Sequence, residues 1–135
     1  MAQNDVPDFT ILTTVHGATW HVRTEAVIHA YRDPNDGKDT MVCTREGGRC
    51  VVLEPIESVA AAIPNLSLLL DRNGGKHLVD LNRIVSIIEH PLDGGTVVAI
   101  QGGDGLIVSA PADEILARCR ERAEPGLAAG GKLVN

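Results

Sequence analysis

Aromatic side chains are nearly missing from this chain of 135 residues: Phe9, Trp20 and Tyr31 are all it has. Its core must therefore be filled by Val, Ile, Leu and Ala. Long apolar runs are missing too. Nothing approaches the ~18 consecutive apolar residues of a transmembrane helix, so no membrane span is expected. Residues Met1 to Asp5 carry neither a basic flank nor an apolar stretch, so no secretory signal is expected. Positive charge is short: 12 Lys and Arg against 18 Asp and Glu leave a net −6. Residues 9–63 hold five basic and seven acidic groups and residues 66–119 four and seven, so the deficit is spread along the chain. Non-specific affinity for nucleic acid comes largely from cations that displace phosphate counterions. This chain starts with that contribution against it unless its few cations converge on one face.

Cysteine is scarce and odd in number. Cys43, Cys50 and Cys119 fit no zinc spacing and read as free thiols, which suits a soluble cytoplasmic protein. The marks of catalysis are missing as well: no Gly-x-Ser-x-Gly, no phosphate loop and no local Cys–His pairing. Glycine pairs at 47–48, 74–75, 94–95 and 102–103 all fall at turns in β-patterned sequence. None leads from a strand into a helix, so they are hairpin chemistry. Neither an enzyme nor a cofactor is expected. The histidines at 16, 21, 29, 77 and 90 show no pair whose spacing fixes a metal, and no metal site is expected.

What the chain does have is self-similarity. Shifted by 57, Gly17 falls on Gly74, Val22 on Val79, Pro34 on Pro91 and Asp36-Gly37 on Asp93-Gly94. With one residue dropped after that turn, Thr40 meets Thr96, Val42 Val98, Gly47 Gly103, Val52 Val108 and Pro55 Pro111. The same shift puts Trp20 on His77, which favours a structural role for both. The expected fold is mainly β with short helices, made of two tandem strand–hairpin–helix units, 9–63 and 67–119, within one domain of residues 9–119. Residues 1–8 are expected to be a flexible N-terminus and 120–135 a helix end and flexible tail, loose around Pro125 to Gly131.

In the first unit, strands are expected over Phe9–Val15, Trp20–Arg23, Val27–Tyr31, Thr40–Arg45 and Arg49–Leu53, with a helix over Ile56–Ile63 opened by Pro55. In the second, strands are expected over Ser67–Leu70, His77–Val79, Ile84–Ile88, Thr96–Gln101 and Leu106–Ser109, with a turn at Asp93-Gly94-Gly95. A helix is expected from Pro111 to about Ala123, with Asp113 and Glu114 at its positive end and Ile115, Leu116 and Cys119 as its buried stripe. Val27, Ile28, Val42, Val52, Ile84, Val98, Val108 and Ile115 are the expected core.

The segment Gly75-Lys76-His77-Leu78-Val79-Asp80-Leu81-Asn82-Arg83-Ile84 resembles the middle of a LytTR-type DNA-binding domain, where a basic segment ends in a pattern like Tyr-Leu-Val-Asn-Leu-x-x-Ile. Ile87-Ile88-Glu89, Asp93-Gly94-Gly95 and Leu106-Ile107-Val108-Ser109 follow in the family's order. Upstream, Glu25 to Tyr31 resembles its first acidic-apolar strand, so the likeness spans roughly residues 9–119. It implies an elongated β fold and a stand-alone DNA-binding transcriptional regulator. Where the family carries His-Arg-Ser this chain reads Gly74, Gly75 and Lys76. Asp80 replaces the Asn of the triplet and is expected to repel phosphate.

Arg72, Lys76 and His77 are the candidate DNA contacts, with Arg45 and Arg49 at a hairpin tip as a second set. The alternative is a non-catalytic protein-interaction module on the same scaffold, an acidic decoy or inhibitor being one form. The partner is then DNA or a protein, and a homodimer is left open.

Overall fold

The computed structural model describes residues 8–35, 37–89 and 95–130, with backbone alone for 122–130. The chain begins with a hairpin of β1 (Phe9–Thr13) and β2 (Thr19–Arg23), then a 3-10 turn at Thr24–Ala26. β3 (Val27–Arg32), β4 (Thr40–Thr44), β5 (Arg49–Val52) and α1 (Ile56–Ala62) complete the first half. The second half has the same order of elements. A hairpin of β6 (Ser67–Leu70) and β7 (Lys76–Val79) precedes a 3-10 turn at Leu81–Arg83. β8 (Ile84–Glu89), β9 (Thr96–Ile100), β10 (Gly105–Val108) and α2 (Ala112–Gly130) follow.

The strands form a two-stranded sheet, β1-β2, a three-stranded sheet, β10-β9-β8, and a five-stranded sheet, β5-β4-β3-β7-β6. The five-stranded sheet crosses from one half to the other where β3 pairs antiparallel with β7, His29 opposite Val79, Ala30 opposite Leu78 and Tyr31 opposite His77. Successive side chains of a strand point to opposite faces, so these two strands feed two cores. Val27, Ala30 and Leu78 join Leu12, Val42, Val52, Ile56 and Val59 in one cluster. Ile28 and Val79 join Leu69, Val98, Ile100, Val108 and Ile115 in the other. The near-absence of aromatics is met by aliphatic packing throughout; Trp20 lies partly buried against the first cluster.

Local chemistry sets the turns. Gly17 and Gly74 hold φ of 88° and 85° in the β1–β2 and β6–β7 turns, where a side chain would be strained. Asp80, buried at 5% exposure, caps the second 3-10 turn by accepting from Asn82 N at 3.0 Å. It lies 3.8 Å from Arg83 Nε as well. It therefore shapes the backbone from a buried position, where the sequence suggested a charge set against phosphate, and either Asp or Asn can fill such a cap.

Three details differ from the sequence reading. Ile84 is half-buried; among the described residues β8 has a strand on one side only. Leu116 is 37% exposed, while Ile115 beside it is fully buried and Cys119 half-buried, so the buried stripe of α2 is narrower than three residues. The α2 backbone runs to Gly130, past the end that Pro125 suggested, since adding residues to four formed turns is far cheaper than nucleating them. Asp36, His90, Pro91, Asp93, Gly94, the N-terminal residues 1–7 and the last five residues lie outside the described residues. Among those described, no helix is long and apolar enough to cross a membrane.

Ile115→Ala should lower unfolding free energy by ~2–4 kcal/mol, the cost of an unfilled core site, while Leu116→Ala should cost under ~0.5 kcal/mol as an exposed change. Urea denaturation of both variants checks this. Equal losses would show that α2 presents a different face to the core.

Candidate nucleic-acid interface

The β6–β7 turn carries two of the three expected DNA contacts, and Asp71 builds it. The Asp71 carboxylate accepts from Asn73 N and Gly75 N, each at 2.8 Å. Its amide donates to Gly75 O at 2.8 Å. A Cβ at Gly75 would lie 2.5 Å from Asp71 Oδ2, so the carboxylate fills the space a side chain would need. Glycine stands there, where the resembled family carries a larger residue, for this reason. Arg72 N donates to Ile107 O at 3.1 Å, fixing the turn to β10.

Arg72 and Lys76 are both exposed at this turn. A shallow cleft beside it is lined by Tyr31, Arg32, Asp71, Lys76, His77 and the turn glycines. Lys76 Nζ lies 3.4 Å from Glu57 Oε2, and Arg32 Nη2 reaches the same oxygen at 4.0 Å. The expected third contact, His77, turns inward. Its Nε2 lies 3.2 Å from Asp71 Oδ2 and its Nδ1 3.0 Å from His29 Nε2, so both ring nitrogens are engaged inside the protein. The second candidate set is also tied down: Arg49 Nη2 binds Asp104 Oδ1 at 2.7 Å, and Arg45 Nε pairs with Glu46 at 3.2 Å.

A chain of contacts thus runs from the surface through the β3–β7 junction: Arg49, Asp104, His29, His77 and Asp71. His29 Nδ1 lies 3.0 Å from Asp104 Oδ2. An ionised carboxylate only accepts, so His29 donates from Nδ1 to Asp104 and His77 donates from Nε2 to Asp71. Tyr31 packs on both rings, with centroids 4.9 Å and 5.4 Å away. Burial lowers the His29 pKa from its ordinary 6.5, more than the Asp104 bond raises it. Burial alone would raise Asp104, yet the bonds from His29 and Arg49 hold it below the usual carboxylate value. Asp71 is held low in the same way by Gly75 N, Asn73 N and His77.

The sequence could show neither His29 nor Asp104 as members of this set. They lie 75 residues apart, and only the pairing of β3 with β7 beside the β9–β10 turn unites them with His77. His29, Cys43 and Asp104 also place one donor atom each within 4.8 Å of one another. Both Asp104 oxygens are already used by His29 and Arg49. Burial, with the Asp104 charge next, pushes the Cys43 thiol up to about 12. A cation would have to displace a guanidinium and a thiol proton, so the set suits a hydrogen-bonded strut better than a metal cage.

No protein-family profile matches the sequence, and no curated protein does. Among solved structures, the fold matches the LytTr DNA-binding domain of a protein from Bacillus cereus described as a methyl-accepting/DNA response regulator. The TM-score is 0.56 at 16% identity, over 86% of this chain and 96% of that one. The fold is that of a LytTR-type domain. In this LytTR-type fold the Leu78-Val79-Asp80 triplet lies in β7 and its cap. Its first two residues supply core, and the third shapes the turn that follows.

Unfolding free energy should fall as pH drops from 7 to 5. The folded pKa of His29 is lowered, so the unfolded chain binds more protons once pH passes below ~6.5 and pulls the equilibrium its way. The loss deepens below ~4, where Asp71 and Asp104 protonate more readily unfolded than folded. His29→Gln should flatten the change between pH 7 and 5, read from urea midpoints. A wild type equally stable at pH 7 and pH 5 would contradict the burial-driven shift.

Proposed function

We propose that this chain is a DNA-binding regulatory domain of LytTR type, acting in transcription, and that Arg72 and Lys76 meet the phosphate backbone while His77 braces their turn from inside. The carrying observation is the fold match to a DNA-binding domain along nearly the whole length of both chains. The geometry of the β6–β7 turn adds to it. A rigid, Asp71-pinned loop holds two exposed cations beside Arg32 and the open cleft. Rigid placement matters because phosphate contacts fix register as well as supply affinity. Three free cysteines suit a reducing cytoplasm.

One observation favours a second reading, a protein-interaction module that has lost DNA contacts. Lys76, Arg32, Arg45, Arg49 and Arg83 all lie within 4.0 Å of a carboxylate of the same chain. On a chain of net −6 that leaves little cationic field, and an acidic surface of this kind can occupy a partner's DNA site.

A salt series separates the readings. With Arg72 and Lys76 on phosphates, binding falls steeply with salt, and Arg72→Ala/Lys76→Ala flattens the log–log slope by about two units, ~0.9 for each lost contact. An unchanged slope in the double variant removes these residues from the interface. No binding by the wild type at ~50 mM salt, where the electrostatic contribution is large, favours the interaction module. Asp80→Asn should leave DNA affinity unchanged, because the buried residue caps a turn.

A further inference from the structure

Among the described residues, β8 and β2 each pair with one strand only. Backbone bonds of the first half have counterparts in the second: Gly17 N to Thr14 O and Gly74 N to Asp71 O, both 2.9 Å; Arg45 N to Ala26 O at 2.9 Å and Gln101 N to Arg83 O at 2.8 Å. The isolated bridges Thr14–Val52 and Asp71–Val108 correspond in the same way. So do the bulges between Val27 and His29 and between Ile84 and Ser86. β8 therefore stands in its half where β3 stands in the other, and β2 where β7 stands.

β3 spends its outer edge on β7, and Asp80 N donates to Ile28 O at 2.9 Å across that seam. The equivalent outer edge of β8 carries no strand among the described residues, and β2 pairs only with β1. We propose that the outer edge of β8 pairs antiparallel with β2 of a second copy of this chain, repeating between molecules the β3–β7 seam within one. The proposal rests on the two-unit reading of the chain and goes beyond the DNA-binding reading.

Shifting the internal register by one unit sets the contacts. Ser86 faces Val22 of the neighbouring copy, Ile87 faces His21 and Ile88 faces Trp20. Arg23 N then donates to Val85 O. The side chains favour this occupant. Val85 and Ile88 are 66% and 57% exposed on β8, and Ile88 comes to lie on the face of β2 that carries the partly buried Trp20. Where the internal seam stacks Tyr31 on His77, with ring centroids 5.4 Å apart, the intermolecular one sets Ile88 against Trp20, an apolar pair. Open strand edges are normally blunted by Lys or Pro; the β8 sequence Ile-Val-Ser-Ile-Ile-Glu has neither. The bulge at its start does not block pairing, because β3 has the same one and pairs.

Parity tells which amides matter. Thr24 N donates to Asp8 O, so by ladder alternation the amides of residues 19, 21 and 23 point away from β1. His21→Pro therefore removes an outward donor without costing the β1–β2 hairpin a bond. Val85→Lys/Ile88→Lys places charge on exposed positions, one opposite Arg23 of the neighbour. The contact is head-to-tail, so it extends or closes a ring of more than one copy.

Sedimentation velocity from ~1 µM to ~1 mM, the span of weak association, tests this on the full chain. Circular dichroism and thermal melts confirm that each variant folds. Wild type should associate with rising concentration, and each variant alone should stay monomeric. The two variants mixed should form a 1:1 dimer and nothing larger, since one retains β2 and the other β8. A wild type that is monomeric throughout, including one whose own N-terminal residues cover β8, overturns the proposal. So does either variant that associates alone, as β8–β8 pairing would allow for His21→Pro, and so does a mixture that stays monomeric.

Discussion

The antiparallel seam between β3 and β7 is the interaction on which the rest of the structure depends. It joins strands from different halves into one five-stranded sheet and sends alternate side chains of each into different cores. Val27 and Ala30 leave β3 for the first cluster, and Ile28 leaves it for the second. Neither cluster is complete without the other half of the chain. With almost no aromatic bulk available, each depends on many aliphatic contacts of modest individual value. A seam that supplies both clusters thus has large leverage on stability.

The same seam decides which charges reach the surface. It sets His29 beside His77, and the neighbouring turns add Asp104 and Asp71 at the two ends. Arg49 is drawn onto Asp104 and lost as a free cation. In exchange the β6–β7 turn, pinned from below by His77, holds Arg72 and Lys76 in fixed exposed places. Lys76 in turn lies 3.4 Å from Glu57, so ion pairing within the chain reaches that turn as well.

Much of the fold was legible in the sequence. Strand positions followed from β-branched runs and glycine turns, and seven of the eight expected core residues are buried, Ile84 excepted. The exception is instructive. β3 is buried over its first four residues whereas β8 is half-buried or exposed throughout, and among the described residues β3 has strands on both edges and β8 on one. No local pattern carries that difference. The site was less legible for the same reason. Arg72 and Lys76 lie in a turn whose glycines are visible in the sequence. His77 looks like their neighbour until the seam shows both of its nitrogens engaged. Asp80 looked like a surface charge because its role as a cap depends on the 3-10 turn after it.

Native-state hydrogen exchange on the dilute chain tests the central claim most directly. The amides of Leu78 and Asp80, which point across the seam to Ala30 and Ile28, should exchange only by global unfolding, with opening free energies equal to the most protected in either core. The outward amides of β8 should exchange orders of magnitude faster. Seam amides that open well below the global value, with one half retaining protection, would show two independent halves in place of one body held by β3 and β7.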